Sequence, residues 1–87
     1  MPTIKFKVVT DDIPGMPGAA KGDPLFPVAS EIIECYEYDV WRRLTDGEVV
    51  KTRPERRESM VTVVAEYETF GDREEAIAEA IANVQGS

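Results

Sequence analysis

Hydrophobic and polar positions alternate from Thr3 to Val9, with Ile4, Phe6 and Val8 on one side and Lys5 and Lys7 on the other. A period of two belongs to an extended chain with one buried and one wet face, so a strand is expected here. The pattern returns between Ser59 and Thr69, where Val61, Val63, Ala65 and Tyr67 share a face. Beyond Gly71 the period lengthens. Ile77, Ala80, Ile81 and Val84 recur at spacings of three and four, which is a helix. Asp72 with Glu75 three residues on reads as an Asp-led capping box, placing the helix start there. Ala76, Ala78, Ala80 and Ala82 are small enough to let that helix lie close to a sheet.

Residues 30–44, SEIIECYEYDVWRRL, fit two periods. As a helix, Ile33, Tyr36, Val40 and Leu44 form a stripe, Ser30 caps it, and acids precede arginines as the helix dipole prefers. As a strand, Tyr36, Tyr38 and Val40 alternate with Glu37 and Asp39, in a composition rich in aromatic and β-branched residues. The strand reading is preferred, because Asp46-Gly47 then serves as the tight turn of a hairpin running into Val49. Residues 11–27 hold Pro14, Pro17, Pro24 and Pro27 with Gly15, Gly18 and Gly22, and read as one long loop. The expected fold is α+β: a small, mainly antiparallel sheet of three or four strands with the C-terminal helix packed on one face. The alternative order is βαββα.

Length makes residues 1–87 a single domain with a thin core, burying roughly 60–65% of its unfolded surface. No apolar run exceeds three residues, far short of the roughly 20 that cross a bilayer. The start, MPTIKFKVVTDD, has no apolar secretory core, so a cytoplasmic address is expected. One cysteine, Cys35, agrees with a reducing compartment.

Charge changes the picture most. The net charge is −7, a balance that disfavours nonspecific contact with nucleic acid or anionic membranes. Residues 42–57 run the other way. Six basic residues (Arg42, Arg43, Lys51, Arg53, Arg56, Arg57) stand there against Asp46, Glu48 and Glu55, a local +3. Histidine is absent, which removes the commonest general base and the commonest transition-metal ligand.

The glycine-rich run GMPGAAKGD, residues 15–23, fails as a phosphate loop. Pro14 and Pro17 lack the N–H donors such a loop aims at an anion, and no helix start follows directly. The apolar members of the longer 11–27 loop, Ile13, Met16, Leu25 and Phe26, are instead potential anchors for a protein partner. Cys35 sits beside Glu34 and Glu37, which oppose thiolate formation, so a small buried apolar role is expected. Glu66 and Glu68, and Glu75 and Glu79, read as solvated faces, and no calcium-loop pattern occurs. Neither a cofactor nor a metal site is expected, and catalysis is not.

Three functional readings follow. The leading one is a small acidic, non-catalytic protein-binding module that covers a basic nucleic-acid-binding surface of a partner, through Glu66, Glu68, Asp72, Glu74, Glu75 and Glu79. Such a chain is similar in size and charge, and in nothing more specific, to phage-encoded inhibitors such as anti-CRISPR proteins. The second is a structural subunit of a virion or other complex, assembling through strand edges, a homodimer included. The third is nucleic-acid contact through Trp41, Arg42, Arg43, Arg53, Arg56 and Arg57.

Overall fold

A computed structural model describes residues 1–13 and 19–86. It shows five strands: β1 (Thr3–Val9), β2 (Pro24–Ile33), β3 (Tyr36–Arg43), β4 (Val49–Thr52) and β5 (Met60–Glu66). The helix α1 (Arg73–Gln85) follows, and short 3-10 turns occupy Pro54–Ser59 and Phe70–Asp72. All pairings are antiparallel, in the order β4-β3-β2-β1-β5. The sheet curls into a half-barrel, and α1 packs against β5.

The alternation read in β1 and β5 holds, because the two strands pair along their whole length, from Thr3↔Glu66 to Val9↔Met60. Ile4, Phe6, Val8 and Ala65 are buried with Ile77 of α1, while Phe26, Leu44, Val63, Ala80, Ile81 and Val84 pack around them. Each fully buried side chain of this kind contributes about 1.5–3 kcal/mol. The opposite sheet face has its own cluster: Val9, Ile13, Leu25, Trp41, Val50 and Met60.

Several expectations need correction. Among the described residues the sheet has five strands, not three or four, and the element order is not βαββα. The preferred strand reading of residues 30–44 holds over 30–33 and Tyr36–Arg43, on either side of a turn, and β3 pairs on both sides, Asp39 lying between Ser30 and Thr52. The expected loop over 11–27 stops at Asp23, since Pro24–Pro27 open β2. Proline is tolerated there at a strand's first residue and at an irregularity, and the register shifts between Pro27 and Ala29. Ile13 (5% exposed) and Leu25 (0%) are core rather than partner anchors. Pro14–Gly18, with Met16 and the two prolines of the phosphate-loop argument, lie outside the described residues.

Two turns fix the hairpins. Glu34 and Cys35, at φ +50° and +71°, form a two-residue link between Ile33 and Tyr36, a conformation that favours Asn-Gly. Between β3 and β4, Gly47 takes φ +76°, as the Asp-Gly pair predicts, and its N–H donates to the Arg43 carbonyl at 2.8 Å. Among the described residues, no helix is long and apolar enough to cross a membrane.

Candidate functional site

The six predicted acids are all exposed, and none forms an ion pair among the described residues. The fold does not gather all of them. Asp72, Glu75 and Glu79 share the solvent side of the helical turns, opposite the stripe of Ile77, Ala80, Ile81 and Val84. Glu74 lies on the flank, in a groove with Leu44, Thr45, Ile77, Ala78 and Ile81. Glu66 pairs with Thr3 and points with Lys5 to the sheet face away from α1. Asp72 makes no capping bond, contrary to the capping-box expectation. Helical structure starts earlier, at Phe70, and Asp72 instead accepts a hydrogen bond from the Thr69 hydroxyl at 2.8 Å.

The basic band divides between the two sheet faces. Trp41 is 5% exposed, and its Nε1–H donates to Thr52 Oγ1 at 2.9 Å. The predicted stacking platform is therefore core, because Trp41 packs with Val9, Ile13, Leu25, Val50 and Met60 in a second apolar cluster, on the face that it shares in parity with Glu37 and Asp39. Arg57 makes a bidentate pair with Asp39, both bonds 2.8 Å, and its basicity is raised by these bonds. Arg43 meets Asp46 at 2.8 Å and Asp23 at 3.3 Å. Asp46 is held below the ordinary carboxylate range, first by the Glu48 N–H and then by Arg43. Arg42 and Arg56 are exposed without an ion pair among the described residues.

Arg53 lies 4.5 Å from the Tyr36 ring centre and 5.6 Å from that of Tyr38. This aromatic-cation stack was missed. Its signal was the shared parity of Tyr36 and Tyr38, and of Lys51 and Arg53, on adjacent strands. Arg73 was missed as well: with Phe26, Arg42, Arg43, Leu44 and Gly47 it lines a cavity of about 370 Å³. No spacing in the sequence joins these residues. Cys35 is exposed at the hairpin tip, not buried as expected, because the two-residue turn carries it outward. Among the described residues no three potential ligands cluster to hold a metal ion. The chain matches no family model, no curated protein and no solved structure.

Proposed function

We propose that this chain is a non-catalytic protein-binding module whose acidic side docks on a basic, nucleic-acid-binding surface of a partner. The observation that supports it is the stripe Asp72, Glu75 and Glu79, with Glu68 and Glu74 nearby. All five are exposed, and none is neutralised by an internal cation among the described residues, whereas Asp23, Glu31, Asp39, Asp46 and Glu55 are. Carboxylates on a rigid helix stand where phosphates would lie and exclude the partner's own ligand.

The test is affinity capture from lysate at about 50 and 300 mM salt, a range over which exposed charges become strongly screened. The triple variant D72N/E75Q/E79Q runs in parallel. The reading requires basic nucleic-acid-binding proteins that salt releases and the variant fails to capture. Salt-resistant capture, or equal capture by the variant, defeats it.

A second reading, assembly through a strand edge, is favoured by β5. Val9 exchanges backbone bonds with Gly22 and Asp23, so Ile4, Phe6 and Val8 turn their backbone groups toward β5. Thr62 and Val64 therefore direct theirs outward, and Val64 is 55% exposed. A free edge of this type pairs with another strand unless charge or covering prevents it. Sedimentation velocity checks this reading: self-association that Val64→Lys abolishes supports it, and a monomer at every concentration rejects it.

A further inference from the structure

We infer that the cavity between the β3–β4 turn and the start of α1 binds the phosphate of a nucleotide, free or within a nucleic-acid strand. Its lining is Phe26, Arg42, Arg43, Leu44, Gly47 and Arg73, three arginines and no carboxylate, in a molecule of net charge −7. Arg43 is secured by Asp46 and Asp23, which fixes that wall. Arg42 and Arg73 make no ion pair among the described residues. Asp72 and Glu74 flank Arg73 in the chain, yet neither lines the cavity; Glu74 borders two neighbouring grooves, one of which Arg73 also lines.

Asp46 and Asp23 already compensate Arg43, so the unbalanced charge of the cavity is that of Arg42 and Arg73, and an anion between those two neutralises it. Guanidinium groups bind phosphate oxygens through pairs of parallel N–H bonds, with geometry that a single ammonium cannot offer. Phe26 and Leu44 add an apolar surface beside the cations, which suits the ring system of a nucleotide. The volume, about 370 Å³, lies in the range of small-ligand pockets. This site is separate from the acidic stripe and does not depend on the docking reading.

The experiment titrates ¹⁵N-labelled protein with inorganic phosphate, adenosine monophosphate, adenosine and an oligothymidylate of about ten nucleotides, at fixed ionic strength. Saturable shifts of the Gly47 and Arg73 amides are expected with the phosphate-bearing probes and not with adenosine. Arg42→Gln and Arg73→Gln each weaken binding by about tenfold or more, the loss of a charge-assisted bond. Arg56→Gln, at an exposed arginine outside the cavity, changes it less than about twofold. Tighter binding of the mononucleotide assigns the site to free nucleotide, and tighter binding of the oligothymidylate assigns it to a strand; both support the inference. It is overturned if adenosine binds as well as its monophosphate, if Arg56→Gln weakens binding as much as Arg42→Gln, or if no probe saturates. Far-ultraviolet circular dichroism confirms that each surface variant keeps its fold.

Discussion

The placement of Trp41 separates a core residue from a base-stacking one, and a double-mutant cycle with Thr52 measures it. The indole N–H and the Thr52 hydroxyl satisfy each other at 2.9 Å, with Thr52 fully buried and Trp41 5% exposed. Trp41→Phe removes apolar contact worth roughly 1–2 kcal/mol. It also strands the Thr52 hydroxyl, at about 1–3 kcal/mol. The expected loss is therefore about 2–5 kcal/mol. Total stability at this length is about 4–13 kcal/mol, so the loss is a large share of it toward the lower end of that range. Thr52→Val strands the indole N–H instead and costs about 1–3 kcal/mol. The double variant leaves neither group unpaired, so its loss falls short of the sum by at least about 1 kcal/mol. Urea unfolding followed by far-ultraviolet circular dichroism is the assay, because Trp41 is the sole tryptophan. Additive losses within about 0.5 kcal/mol, or a Trp41→Phe cost below that figure, would refute the buried pair.

Replacing Glu34-Cys35 by Asn-Gly relieves two positive φ angles and raises stability by about 1–2 kcal/mol, read as a higher urea midpoint. Phe6→Ala, at 1% exposure beneath α1, costs about 3–5 kcal/mol in the same assay. Asp46 is held below its ordinary value, so its contribution is present above about pH 4 and disappears as pH falls through the lowered value. Asp46→Asn therefore lowers the melting temperature at pH 7, and the difference from wild type shrinks as pH falls through the lowered value, where the wild-type carboxylate takes up its proton. Arg57→Met breaks both bonds to Asp39, of which 11% of the side chain is exposed, and reduces the urea midpoint.

Where the local pattern and the tertiary environment agree, the sequence was readable. β1 and β5 alternate cleanly because each buries one face against α1, and the Asp-Gly turn announced the β3–β4 hairpin. β2 was hidden. Pro24 and Pro27 look like breakers, but the first opens the strand and the second sits where the register shifts. The turn at Glu34-Cys35 was equally silent, since it uses residues that seldom accept positive φ. Trp41 shares its parity with Glu37 and Asp39, so alternation placed it on a wet face. Ile13, from a segment that reads as loop, packs in the same cluster and reverses that assignment. Among candidate site residues, the acids of α1 followed from helical spacing alone. The arginine-lined cavity did not, because Arg42 and Arg73 meet only through the packing of α1 beside the end of β3.

The pairing of β1 with β5 also bears on how the molecule forms. β1 is synthesised well before β5, the neighbour it pairs with along its whole length, Thr3 meeting Glu66. The hairpins of β2, β3 and β4 need only nearby residues, so they can assemble while β1 waits half-partnered. Pairings between distant residues close late and slow the overall rate. A nascent chain that stalls before Met60 leaves Ile4, Phe6 and Val8 without a cover, making this waiting interval the one in which chaperones or misassembly compete for the N-terminal strand.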